Sequence, residues 1–228
     1  MNTKQWIKNI KTVNYQDFFL TLIQDYVKFP LYILSHPFKG YDDFKMEKKG
    51  KLSVAIVYLM LLVIANAVSV TSSGFLVSAP YIENFSIVRT FFLVVVPVVL
   101  ITIGNWSITS LFEGKGKMIE IFKVICYALI PLVWIGIPMT ILSNFLIQEE
   151  LAIYTAMNAI SVFFVGYMVL FGLLVIHEYG LLKTIITLAF TAVAVALIIF
   201  IGLLILTLFQ QLYGFIIQVY EELIMRLS

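Results

Sequence analysis

Five stretches of the chain, at about 52–75, 88–111, 119–142, 153–176 and 185–209, each hold more than twenty mostly apolar residues bounded by charged or turn-forming ones. A helix needs about 20 such residues to cross the roughly 30 Å hydrocarbon core of a bilayer. Backbone in lipid must satisfy its hydrogen bonds internally, so each stretch is expected to be a helix; the ten-residue alternation of a membrane barrel is absent. The expected fold class is all-α, a polytopic membrane protein with five transmembrane helices preceded by an N-terminal amphipathic, interfacial helix. Composition agrees, with 61% of 228 residues hydrophobic and 12% charged, where a soluble domain runs about 45–50% and about 25%. The lipid bilayer is thus the first expected partner.

The basic residues set the expected orientation. Nine Lys lie in residues 1–51, Lys115 and Lys117 in the second connection and Lys183 in the fourth, whereas connections 76–87 and 143–152 carry only Glu83, Glu149 and Glu150. Short Lys-rich loops stay cytoplasmic, which puts the N-terminus inside and the C-terminus outside a cell membrane. Arg89 and Lys123 are placed to snorkel. A net charge of +2 is too small for a nucleic-acid binder, whose affinity rests on many phosphate contacts. No apolar run near the start has the form of a signal peptide, so the first span is expected to stay.

Residues 1–51 form an expected cytoplasmic segment and residues 52–228 the transmembrane domain. Within the segment, 17–34 interleaves aromatic and aliphatic residues with Gln24, Asp25 and Lys28, and Pro30 should kink or end a helix there. It reads as a helix lying under the inner leaflet, or packed on the bundle, and the two are compatible.

Motifs for chemistry are sparse. Cys126 is the one cysteine and sits in an apolar run, excluding a disulfide within the chain. His177-Glu178 opens like the zinc motif H-E-x-x-H, but position 181 is Leu. The pair instead reads as a turn closing the fourth helix. Glu221, Glu222 and Arg226 form an E-E-x-x-x-R string at the chain end, where Glu222 and Arg226 suit an i,i+4 pair. Glu113-Gly114-Lys115-Gly116-Lys117 lacks P-loop spacing and reads as a tight turn between antiparallel helices. No catalytic residue, metal ligand or cofactor is expected.

The polar residues inside the spans are neutral: Asn66, Ser69, Thr102, Asn105, Asn158 and Ser161. With the small-residue spacings Ala65/Ser69/Ser73 and Ala192/Ala196 they suit helix–helix hydrogen bonding and close packing, or a neutral transport path. Pro97, Pro131 and Pro138 interrupt spans two and three and should kink them.

Several strings together resemble one family: His36-Pro37-Phe38; Asn105-Trp106-Ser107-Ile108-Thr109-Ser110-Leu111-Phe112-Glu113-Gly114-Lys115-Gly116; Cys126-Tyr127-Ala128-Leu129-Ile130-Pro131; Ile141-Leu142-Ser143-Asn144 with Glu149-Glu150; and His177-Glu178-Tyr179. The similarity, from about residue 30 onward, is to the Yip domain family, the Ypt/Rab-interacting membrane proteins, and to its bacterial branch. The resemblance implies a five-helix bundle with a cytoplasmic N-terminus. Eukaryotic members bind small GTPases in vesicle traffic, a role not carried over here, and some bacterial members are encoded near carbohydrate ABC importers.

The expected function is a non-enzymatic integral membrane protein that scaffolds or modulates a partner membrane complex, such as the subunits of a carbohydrate ABC importer. The expected partner-contact residues are His36, Pro37, Phe38, Asn105, Trp106, Gly114, Lys115 and Gly116. The alternatives are a small permease for a neutral or lipidic substrate and a membrane-shaping or lipid-handling protein. A homo-oligomer is compatible with each.

Overall fold

The computed structural model describes residues 15–77 and 85–227, and among these it is helical without strands. The N-terminal segment forms three short helices, α1 (Tyr15–Ile23), α2 (Phe29–Ser35) and α3 (Pro37–Met46). A π-helical turn, Gln24–Lys28, joins α1 to α2 directly upstream of Pro30. Pro30 therefore sits in the first turn of α2, where its missing N–H costs nothing, rather than ending the helix. The segment packs on the bundle: Ile33, Tyr41 and Phe44 belong to the main core. Apolar Phe19, Leu20 and Leu31 face outward, as the interfacial reading requires.

Five helices or helix pairs are long and apolar enough to cross a membrane, at Leu52–Ser72, Ile87–Leu111, Met118–Leu142, Gln148–His177 and Leu181–Arg226. They are α4 (Leu52–Ser72), α5 (Ile87–Leu111), the pair α6 (Met118–Ala128) and α7 (Ile130–Leu142), α8 (Leu151–His177) after one 3₁₀ turn, and α9 (Leu181–Leu227). The three prolines act differently. Pro131 divides the third span at Leu129, whereas Pro97 and Pro138 lie inside continuous helices. Glu83, in the first connection, lies outside the described residues.

Helix α9 is 47 residues long, about 70 Å, and runs well past the expected end near residue 209. An apolarity rule fixes the least length that crosses lipid and places no upper limit on the helix. Near its C-terminus Arg226 pairs with Glu222 at 2.5 Å, the i,i+4 pair that the string implies.

The core is densest at the lysine-bearing end. Phe44 meets Tyr41 and Tyr127 edge-on at ring separations of 5.8 and 5.0 Å, and Phe29 meets Tyr127 at 6.4 Å. Such edge-to-face pairs add about 0.5–1.5 kcal/mol each beyond buried area. Lys123 turns its ammonium to the Gly50 carbonyl at 2.9 Å and over the Phe44 ring at 5.2 Å, so its charge is met within the protein. At the opposite end the Ser143 hydroxyl accepts from the Gly74 N–H at 2.9 Å, and Asn144 Nδ2 donates to the Ser72 carbonyl, tying α7 to the end of α4.

Candidate functional site

Two helix C-termini, those of α5 and α8, meet at the lysine-bearing end. Each leaves carbonyls without intrahelical partners and a partial negative charge. Helix α8 stops because Glu178 turns left-handed (φ 56°, ψ 41°), and the Glu178 and Tyr179 N–H groups fold back onto the Val175 and Leu174 carbonyls. Helix α5 ends likewise at Glu113 (φ 60°), with the Gly114 N–H donating to the Thr109 carbonyl at 2.7 Å. Tyr179 then bridges the two ends by donating its hydroxyl to the Phe112 carbonyl at 2.9 Å.

Charge closes the junction into a clasp. Glu178 Oε1 accepts from Lys45 of α3 at 2.9 Å and Oε2 from Lys115 of the α5–α6 turn at 2.5 Å. Those two hydrogen bonds, Lys115 first, hold its carboxyl well down, at about 2. Lys45 also donates to the Ile176 carbonyl at 2.8 Å, neutralising the α8 terminus. Lys183 lies 4.4 Å from the Tyr179 ring centroid, a cation–π contact. Burial raises the Tyr179 hydroxyl above its ordinary value.

Beneath the charges runs a buried polar relay. The Gly116 N–H donates to His177 Nδ1 at 3.3 Å, and His177 Nε2 meets Asn105 Oδ1 at 3.2 Å. An amide N–H can only donate, so Nδ1 accepts and the proton resides on Nε2, which donates to Asn105. Asn105 Nδ2 donates to Thr191 Oγ1 at 3.1 Å, and Thr191 donates to the Thr187 carbonyl at 2.7 Å. His177 and Asn105 are 2% and 1% exposed, so these bonds are what make burial of the groups tolerable. The glycines are required by the close approach. A Cβ on Gly114 would lie 2.6 Å from His177 Nδ1, and one on Gly116 2.5 Å from Ile176 Cγ2.

The expected contact residues divide accordingly. Asn105, Gly114, Lys115 and Gly116 converge with His177, Glu178 and Tyr179. Trp106, one step round the helix from Asn105, is 43% exposed and faces away from the relay. His36, Pro37 and Phe38 lie at the start of α3, with His36 stacked on Tyr32 at 5.3 Å and Phe38 edge-on to Phe171 at 4.8 Å. Helix α3 thus runs parallel to the last turns of α8. Phe38 meets Phe171, Tyr41 lies beside Gly172, and Lys45 reaches Ile176 and Glu178.

Over residues 31–216 the chain matches the family model described as the Yip1 domain. The chain belongs to the Yip1 domain family. The Yip1 match takes in α3, every described helix of the clasp and most of α9. No curated protein and no solved structure gives a significant match. Within this Yip1 chain, two clasp members were not singled out by sequence: Lys45, one of several lysines in its segment, and Thr191. The spacing of Thr184, Thr187 and Thr191 along one face of an otherwise apolar helix was the available signal for the latter.

Four of the other polar residues inside the spans bond locally. Asn66, Thr102, Asn158 and Ser161 each donate to a carbonyl of their own helix. Of the mid-span residues expected to cross-link spans, Asn105 is the one whose side chain reaches another helix among the described residues. Among those residues no group of three or more His, Cys, Asp or Glu converges on a metal-sized site. Between α5, α6, α8 and α9 lies an apolar cavity of about 620 Å³, bordered by Pro97, Ile125, Val165, Leu188 and, as its single polar lining residue, Thr191.

Proposed function

We propose that this Yip1 domain protein is a non-enzymatic adaptor of a bacterial cytoplasmic membrane, its lysine-bearing end in the cytoplasm, holding a partner membrane complex through the face built on α3. The observation that carries this reading is the grip of Lys45 and Lys115 on Glu178, which fixes a short amphipathic helix to the bundle. The inner side of α3 is buried at Tyr41 and Phe44, while Phe38 and Met46, two turns apart, stay 54% and 71% exposed. A rigid helix carrying exposed apolar anchors suits recognition, because little ordering entropy is lost on docking. The polar groups of the clasp are bonded to one another, which supports a structural use of them. A carbohydrate ABC importer is the partner that the family resemblance suggests.

The test is affinity purification in mild detergent of the wild type and of a Phe38→Ser/Met46→Ser variant, with mass spectrometry of what co-purifies. A stoichiometric membrane complex held by the wild type and lost by the variant supports the adaptor. A wild type that purifies alone refutes it.

A second reading, handling of a neutral or lipidic substrate, is favoured by the 620 Å³ apolar cavity, large enough to admit a hydrocarbon chain from the bilayer. Flux or lipid-transfer assays in liposomes test it, and no movement across a broad panel of substrates counts against it.

A further inference from the structure

At the end of the bundle opposite the clasp, α4, α7 and α8 enclose a polar cleft of about 160 Å³. One ordered water needs only about 10–15 Å³, so the cleft admits a group of several heavy atoms. Its polar lining comes from Asn66 and Ser69 of α4, Thr140 of α7, and Tyr154 and Asn158 of α8, with Gly136 contributing no side chain. The two amides are half used: Asn66 Nδ2 donates to the Leu62 carbonyl at 2.9 Å and Asn158 Nδ2 to the Tyr154 carbonyl at 3.1 Å. Neither Oδ1 has a partner among the described residues. The hydroxyls of Ser69 and Tyr154 likewise make no hydrogen bond among those residues.

These groups lie inside helices long and apolar enough to cross a membrane. Asn66 is about 9 Å of helix rise from the end of α4, and Asn158 about 10 Å from the start of α8. At that depth an unmet polar group costs energy that water would otherwise remove. Four such groups on facing helices, around open space, mark a place where a polar guest completes the hydrogen bonding. No charged residue lines the cleft, so neither a phosphate nor an ammonium finds a counter-charge. Two carbonyl acceptors and two hydroxyls match the hydroxyls of an uncharged guest.

We propose that this cleft binds an uncharged, hydroxyl-bearing group, either the glycosyl or glycerol head of a neutral lipid entering from the leaflet or a free polyol. The site is separate from the clasp and does not depend on the adaptor reading. Gly136 supplies a test, since it lines the cleft and a Cβ there meets nothing within 4 Å, so a larger side chain starts from open space.

The experiment is native mass spectrometry of the full chain released from nanodiscs containing monoglucosyl diacylglycerol and, at equal amount, phosphatidylglycerol. Wild type is compared with Gly136→Leu and, should that variant unfold, Asn66→Leu/Asn158→Leu. The expected result is one glucolipid retained per chain in preference to phosphatidylglycerol, with retention falling about tenfold in Asn66→Leu/Asn158→Leu, the loss expected for two hydrogen bonds, and at least as far in Gly136→Leu, whose side chain would occupy the cleft. Free glucose or glycerol at millimolar concentration separates the sources: displacement of the glucolipid identifies a soluble polyol as a competent guest, and its persistence identifies the lipid head. Equal retention of both lipids, equal retention by wild type and variants, or a chain dimer that the variants abolish in place of lipid binding would overturn the proposal.

Discussion

Gly116→Ala is the sharpest probe of the clasp. The added Cβ would lie 2.5 Å from Ile176 Cγ2, 2.8 Å from His177 Cε1 and 3.0 Å from His177 Nδ1. Ile176 is fully buried and His177 nearly so, and both sit on a helix end held by Lys45, so the α5–α6 turn must retreat. Overpacking costs about 1–3 kcal/mol, and retreat sacrifices the Gly116 N–H bond to Nδ1, about 1 kcal/mol. The smaller conformational freedom of the unfolded Ala chain returns about 0.4–1 kcal/mol. The net destabilisation is about 2 kcal/mol, a fall of about 4–8 °C in Tm for a chain of this size. Circular dichroism melts in detergent measure it, with tryptic cleavage after Lys115 and Lys117 as the local readout. Gly202→Ala, where a Cβ meets nothing within 4 Å, serves as the control and should melt at or above wild type. Ile176→Ala opens space for the new methyl, so the double variant should be less destabilised than the sum by at least about 1 kcal/mol. A Gly116→Ala protein with wild-type melting and cleavage, or strict additivity in the double variant, would refute the close approach on which the clasp rests.

Asn105→Leu leaves His177 Nε2–H and the Thr191 hydroxyl facing an apolar side chain and should cost about 2–4 kcal/mol, read as loss of Tm. Tyr41 is buried with a hydroxyl that has no hydrogen-bond partner among the described residues, and burial raises its pKa; Tyr41→Phe should therefore be neutral or stabilising by up to about 1 kcal/mol, and a clear destabilisation would reveal a partner for that hydroxyl. The Glu178 carboxyl is lowered from 4.5 to about 2 by Lys115 and Lys45. A depressed carboxylate stabilises the fold fully above its unfolded value and loses that contribution as pH falls through the folded one. The Tm difference between wild type and Glu178→Gln should be constant near neutrality and close between about pH 4.5 and pH 2, and a difference that persists at pH 2 would contradict the assignment.

The fold was legible because lipid leaves the backbone few options. Every span begins and ends within a few residues of its expected bounds except at the far end of α9, where residues after 209 remain helical although no length requirement demands it. Pro131 acted as a proline should in breaking the third span, but Pro97 and Pro138 show that removing one N–H need not end a helix. The clasp was half legible. Asn105, Gly114 to Gly116 and His177 to Tyr179 stood out as strings, yet their meeting depends on α5, α8 and the α5–α6 turn ending at one height. Lys45 was hidden because a lysine that completes a helix terminus looks, in sequence, like any other lysine of the N-terminal segment. Trp106 was grouped with Asn105 by adjacency, and the roughly 100° turn between successive helical residues separates them.

The distribution of satisfied and unsatisfied polar groups gives the two ends of the bundle different work. At the lysine-bearing end, His177, Asn105, Thr191, Tyr179 and Glu178 all bond to protein partners, so burial there yields rigidity. Around the cleft at the other end Asn66 and Asn158 bond only their own helices among the described residues. A polar residue kept inside a span solely for packing would be expected to reach a neighbouring helix, as Asn105 does, because the pair gains by leaving no group unmet in hydrocarbon. The amides around the cleft bond within their own helices instead, and it is on these half-used groups that the proposed polar guest rests.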